Sequence, residues 1–276
     1  MAVKHIFIGG TSFTGSTLIG LILGTIPGVA NVGESNWLVP RLGEADASPK
    51  LWNGYEGMEQ CRLCGSACKV WTKKFRMDLQ RDPADWFERV AARLGTNVLV
   101  SSEKETPFIN ALDPQKRYTA LILFREPRQF WSSIRKRPWR QDTIQQATRR
   151  WATAYKHFVE DTYRPEGGKI FMNVDAFQTQ PEQRLRILLK LLGMEGNIES
   201  VLRYWESQQH YVGGNFNVYR ELEQKGAASL ALRPPEALSL SAKEHDFIQN
   251  HEADEIYERL LNQTPGLSEP VAAATR

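Results

Sequence analysis

Four apolar runs, each ending in glycine or a polar cluster, divide this chain into the alternating pieces of an α/β protein. Ile6-Phe7-Ile8 predicts a strand over residues 3–9, and Asn97-Val98-Leu99-Val100 a second short one. Tyr118-Thr119-Ala120-Leu121-Ile122-Leu123-Phe124 is almost continuously apolar, as strands covered on both faces of a parallel sheet are. Residues 169–174 give a fourth strand. Between them lie helical patterns: residues 16–25, closed by Pro27-Gly28; 35–42; 70–79; and a helix from Asp82-Pro83 to Leu94, ended by Gly95. A helix to about Ile134 follows, then an amphipathic one over 142–163 carrying Trp151, Tyr155 and Phe158, then 181–192 and 199–205. Ser241 and Glu244 form a capping box for a last helix through Leu261. The expected fold is α/β, with a mostly parallel central sheet between two helical layers. One domain is expected over 1–262, with an irregular excursion at 43–69, a loop at 208–220 and a flexible tail at 263–276.

Chemistry gathers where the strands stop, which is where parallel sheets bind ligands. After the first strand comes Gly10-Thr11-Ser12-Phe13-Thr14-Gly15-Ser16-Thr17. Its spacing is that of the phosphate loop G-x-x-x-x-G-K-[ST], with Ser16 in place of the lysine. Backbone N–H groups and a helix N-terminus suit such a loop to a phosphate. A nucleoside triphosphatase also needs a metal-supporting carboxylate at a nearby strand tip. Arg125 stands after the 118–124 strand instead, where it repels Mg²⁺ and attracts phosphate. Lys104 follows the 97–100 strand, and Glu34 follows Gly33.

Length and composition add bounds. The chain has 276 residues, 41% hydrophobic and 24% charged, ordinary values for a globular protein with a full core. Its net charge of +3 is too mild to indicate nucleic acid, and no apolar run reaches membrane-spanning length. The N-terminus has Lys4, an apolar stretch and small residues near Ala30, but Gly9 to Ser16 interrupts any signal-peptide core. A cytoplasmic location is therefore expected.

Cys61, Cys64 and Cys68 form a C-x₂-C-x₃-C cluster, which is not a disulfide framework. Zinc needs a fourth ligand, and no histidine is near in sequence. The readings are buried free thiols, a loop-stapling disulfide, or zinc, with no metal expected. His5, His157, His210, His245 and His251 read as surface or packing residues, and the run Arg135 to Arg140 as a solvated face beside a bound phosphate.

Together these motifs resemble the sulfotransferases that use 3′-phosphoadenosine-5′-phosphosulfate (PAPS). Gly10 to Leu18 is similar to their 5′-phosphosulfate loop, and Arg125-Glu126-Pro127-Arg128 with Ser133 to their 3′-phosphate motif. Gly33-Glu34 and Glu103-Lys104-Glu105-Thr106-Pro107 resemble the segments that supply catalytic side chains, and Gly213-Gly214-Asn215 the late glycine loop over the cofactor. The resemblance implies transfer of a sulfuryl group from PAPS to a hydroxyl, releasing PAP, without a metal. It gives Glu34 the role of general base, with Glu105 its rival. Lys104 and Ser16 would act on the leaving phosphate. Two positions depart from the family: Phe13 stands where a basic residue is usual, and Asn173-Val174-Asp175 lacks the usual tyrosine.

Two other readings fit the loop: a small-molecule kinase using ATP, and a non-catalytic protein that binds PAP or another nucleotide. The acceptor could be a carbohydrate, a phenol such as tyrosine, or a lipid. Trp52, Tyr55 and Trp71, in and beside the 43–69 excursion, are candidates to line its site. Oligomeric state has no signature in the sequence.

Overall fold

The computed structural model describes residues 3–38, 60–104, 106–137, 140–160, 162–215 and 240–270. Among the described residues, five strands form one parallel sheet: β1 (Lys4–Gly10), β2 (Val29–Gly33), β3 (Val98–Lys104), β4 (Tyr118–Phe124) and β5 (Lys169–Asn173), in the order β2-β3-β1-β4-β5. β1 is central, flanked by β3 and β4, so loops at its carboxyl end face both neighbours. β2 was not among the expected strands.

Alternation along the strands builds two cores. Ile6, Ile8, Val100, Leu121, Leu123 and Met172 pack on one face against α1 (Ser16–Leu23), α8 (Pro181–Leu192) and α9 (Ile198–Leu202). Phe7, Ala120, Ile122, Phe124 and Phe171 pack on the other. There they meet α3 (Trp86–Leu94), α5 (Pro127–Arg135), α6 (Ile144–Val159) and α11 (Glu252–Leu261). Among the described residues, the other helices are α2 (Lys73–Arg81), α4 (Thr106–Leu112), α7 (Val174–Thr179) and α10 (Ala242–Gln249).

Several boundaries move for local reasons. Asp82 Oδ1 accepts the Ala84 N–H at 3.1 Å, an Asx turn that delays α3 to Trp86 rather than Asp82-Pro83. The expected 241–261 helix breaks at Asn250-His251, where His251 Nδ1 caps the second half by accepting the Ala253 N–H at 3.1 Å. The 35–42 segment begins as a short 3₁₀ turn, Ser35–Trp37. Within the stretch expected to be a flexible tail, Thr264 and Leu267 are buried and bonded to β5. Thr264 Oγ1 accepts the Phe171 N–H at 2.9 Å and the Leu267 carbonyl accepts the Asn173 N–H at 3.0 Å. A free sheet edge would leave these donors bare, and this segment covers it.

His5 is buried in β1, stacked on Phe87 at 4.1 Å, with Nε2 2.8 Å from Ser101 Oγ. Desolvation lowers its pKa from 6.5 to about 3. The folded protein therefore keeps His5 neutral while the unfolded chain takes up a proton below pH 6.5. Stability from this site is complete above that pH and declines by about 1.4 kcal/mol per unit as pH falls toward 3. Denaturant titrations from pH 6.5 to 5.5 should show this extra slope, and His5→Phe should remove it. Equal slopes in the two proteins would show that His5 is accessible to protons in the folded state.

Candidate active site

The loop after β1 is fixed by a close backbone approach to β4 and by hydrogen bonds to α6. Gly10 leaves the strand at φ 136°, and a Cβ there would overlap the Leu123 carbonyl oxygen of β4. Thr14 Oγ1 donates to the Thr11 carbonyl at 2.7 Å and closes the loop. Tyr155 of α6 donates to the Leu123 carbonyl at 2.7 Å and accepts from the Thr11 N–H at 3.3 Å, fixing the loop to the sheet. Gly15, at φ 77°, caps α1 without a side chain. The first-turn N–H groups of α1 thus lack intrahelical acceptors and add the positive end of the helix dipole. Ser16 and Thr17 are buried in that turn, and Ser12 is exposed.

Phe13 sits at φ 67°, unusual for a bulky residue. Its ring is approached by two guanidinium groups, Arg137 at 5.5 Å and Arg140 at 5.7 Å. The sequence reading placed the run Arg135 to Arg140 on a solvated face beside a bound phosphate. The structure brings both guanidinium groups against this loop position.

Thr17 meets the late glycine loop. The Asn215 N–H donates to Thr17 Oγ1 at 3.1 Å, and a Cβ on Gly214 (φ 84°) would stand 3.2 Å from the same oxygen. Arg62 Nε donates to the Gly213 carbonyl at 3.1 Å. Residues more than 190 positions apart thus meet at the mouth of the loop.

Glu34 and Lys104 are also brought together. Lys104 ends β3 in a left-handed conformation (φ 69°), and its Nζ donates to Glu34 Oε1. Both side chains are largely enclosed, 20% and 14% exposed. The β2 tip is tied down twice: the Glu34 N–H donates to the Val212 carbonyl at 2.9 Å, and Ser35 Oγ donates to Glu103 Oε1. Burial raises the Glu103 carboxyl, with hydrogen bonds from Ser101 and Ser35 opposing it. Glu103 is therefore a positioning group that sequence reasoning quoted without a role. Glu105 lies outside the described residues.

At the tip of β4, Arg125 Nη1 donates to Ser133 Oγ at 3.1 Å, joining the two residues expected to share a phosphate. Its Nε and Nη2 donate to Asp175 Oδ1 at 2.8 and 2.6 Å. Asp175 belongs to the segment flagged as a departure. Asn173 there caps α7, accepting from the Asp175 and Ala176 N–H groups at 3.0 and 3.2 Å.

Two expectations need correction. Trp71 is buried, and its Nε1 donates to the His210 carbonyl at 2.8 Å, so it is a core residue rather than an acceptor-site wall. Trp52 and Tyr55 lie outside the described residues. His210 is no bystander: its Nδ1 lies 3.8, 3.4 and 3.5 Å from the sulfurs of Cys61, Cys64 and Cys68. A fourth ligand-type side chain therefore does stand beside the cysteines.

The chain is an α/β protein whose parallel sheet carries a glycine loop after its central strand and cationic side chains, Lys104 and Arg125, at the adjoining strand tips. The fold is that of the sulfotransferases. The sulfotransferase domain from the curacin biosynthetic pathway is 12% identical, with a TM-score of 0.56 over 96% of this chain and 99% of that one. The sulfotransferase domain from the Synechococcus PCC 7002 olefin synthase is 16% identical, with a TM-score of 0.60 over 92% and 94%. No family model and no curated protein sequence matches the chain. Among the described residues, no helix is long and apolar enough to cross a membrane.

Proposed function

We propose that this chain transfers a sulfuryl group from PAPS to a hydroxyl-bearing acceptor and releases PAP. The observation that carries the reading is the charge at the strand tips. Arg125, joined to Ser133, stands where a kinase would hold Mg²⁺ through a carboxylate, and Asp175 is engaged by Arg125.

The residues fit the cofactor. The loop from Gly10 to Thr17, which runs into the N-terminus of α1 with no side-chain cap at Gly15, would hold the 5′-phosphosulfate. Arg125 and Ser133 would hold the 3′-phosphate, and Gly213, Gly214 and Asn215 would close over the loop. PAPS supplies an electrophilic sulfur and a good leaving group. Glu34 takes the proton of the acceptor hydroxyl as its oxygen bonds to sulfur. Lys104 and Ser16 stabilise the negative charge left on the 5′-phosphate oxygen as its bond to sulfur breaks. The Glu34–Lys104 contact keeps these two groups side by side before either is used.

The test is sulfuryl transfer to a panel of sugars, phenols and lipid alcohols, without added Mg²⁺, beside an ATP assay with Mg²⁺. Sulfated product with no ATP turnover supports the reading. ATP turnover would favour the kinase. PAP binding without product from any acceptor would favour a binding protein.

Phe13 gives a finer check. By holding Arg137 and Arg140, its ring stands in for the missing loop cation. Phe13→Ala should weaken PAP binding by about 2- to 5-fold, the range of an exposed cation–π contact. An unchanged affinity by calorimetry would remove both arginines from the site.

A further inference from the structure

We propose that Cys61, Cys64, Cys68 and His210 form a structural zinc site that staples the 61–71 segment to the 210–215 segment beside the candidate active site. Their ligand atoms all lie within 4.8 Å of one another.

Three sulfurs converge on one ring nitrogen, at 3.8, 3.4 and 3.5 Å. Hydrogen bonding does not explain this, because an imidazole nitrogen has either one N–H or one lone pair and serves one partner well. A cation at the centre uses all four atoms at once. With Zn–S of about 2.3 Å and Zn–N of about 2.0–2.1 Å, a tetrahedron has sulfur-to-nitrogen edges of about 3.6 Å. The observed spacings bracket that value. Three thiolates and an imidazole in tetrahedral reach are a zinc donor set, with no water position needed.

The backbone is folded for this purpose. The Gly65 N–H returns to the Cys61 carbonyl at 2.9 Å, with Gly65 left-handed at φ 56°. The Ala67 N–H donates to the Cys64 carbonyl at 3.2 Å, and the Cys68 N–H to the Gly65 carbonyl at 3.4 Å. These successive turns present the three sulfurs to one point. The Trp71 N–H donates to Cys68 Sγ at 3.4 Å, and Trp71 Nε1 fixes the His210 backbone, the kind of outer-shell support that orients metal ligands. His210 arrives because Val212 bridges both Cys61 and Gly33, while the Arg62 N–H donates to the Tyr211 carbonyl at 2.9 Å.

The consequence follows from position. The staple joins residues 142 to 149 positions apart. Val212, two residues past His210, receives the Glu34 N–H, and Gly213 to Asn215 run directly on to Thr17. Zinc would thus hold both the β2 tip and the late glycine loop from one side.

The test uses the full chain, without a histidine tag, purified under reducing conditions. Metal analysis should find about one zinc per chain, and zinc-edge absorption spectroscopy should fit three sulfurs and one nitrogen. Stripping with a strong chelator should expose three titratable thiols, lower Tm by roughly 10 °C, and speed amide exchange in residues 208–215. Cys64→Ser tests the ligand set at its most exposed cysteine and should lose the metal while remaining folded. His210→Ala should do the same. Metal-free folded protein from zinc-supplemented medium, with three reactive thiols and a Tm indifferent to zinc, would overturn the proposal. So would a disulfide between two of the cysteines in place of metal. None of these readouts depends on sulfuryl transfer, so the site and the proposed activity stand or fall separately.

Discussion

Glu34→Gln is expected to lower kcat for sulfuryl transfer by about 10²- to 10⁴-fold while PAP affinity changes by less than about threefold. That range is what a positioned general base contributes. Glutamine keeps the shape and an oxygen for Lys104 Nζ, so the β2 tip should stay in place through Val212 and the Ser35–Glu103 contact. Proton acceptance is what disappears. Lys104→Ala should cost about 10²- to 10³-fold, the range seen when one donor to a developing oxyanion is removed. Because the two side chains touch, the double variant should lose less than the product of the single losses. Single-turnover kinetics with saturating PAPS would measure this. If Glu34→Gln retained more than a tenth of the rate while Glu105→Gln abolished it, the base would be Glu105.

Legibility of this site in the sequence depended on distance along the chain. The strand-tip positions of Lys104 and Arg125 were readable because parallel strands buried on both faces give apolar runs; Arg125 directly follows one, and Lys104 ends the polar stretch after the other. The Gly10 to Thr17 loop was readable because strand, loop and helix are contiguous. β2 was not: it is five residues long and carries the polar, buried Asn31, whose Oδ1 accepts the Gly33 N–H at 3.1 Å. Its strand character comes from pairing with β3, nearly seventy residues later. His210 failed for the same reason. Nothing near Cys61 announces a histidine that arrives through Val212. Phe13 was readable as an oddity only, because the arginines that explain it lie about 125 positions away. Residues 263–270 look like a polar tail until the open edge of β5 supplies a reason for Thr264 and Leu267 to be there.

Arg125→Ala is expected to weaken PAP binding by about 10- to 150-fold, because a charge-assisted contact of this kind contributes about 1.5–3 kcal/mol. Its geometry makes the arginine hard to replace. Nε and Nη2 engage Asp175 while Nη1 reaches Ser133, and the Trp151 Nε1–H holds the Arg125 carbonyl at 3.2 Å. Lysine keeps the charge but not the fork, so Arg125→Lys should recover only part of the loss. A structural role would also weaken binding, since Asp175 is largely enclosed and would lose its cation. The two causes separate with a second ligand. Adenosine 5′-phosphate lacks the 3′-phosphate, so its affinity should be nearly the same in wild type and Arg125→Ala while that of PAP falls. Calorimetry of both ligands against both proteins gives the interaction between guanidinium and 3′-phosphate as the difference of differences. Equal losses for the two ligands would mean that Arg125 shapes the pocket without binding the phosphate. The 3′-phosphate would then have to be sought elsewhere on the sheet's carboxyl edge.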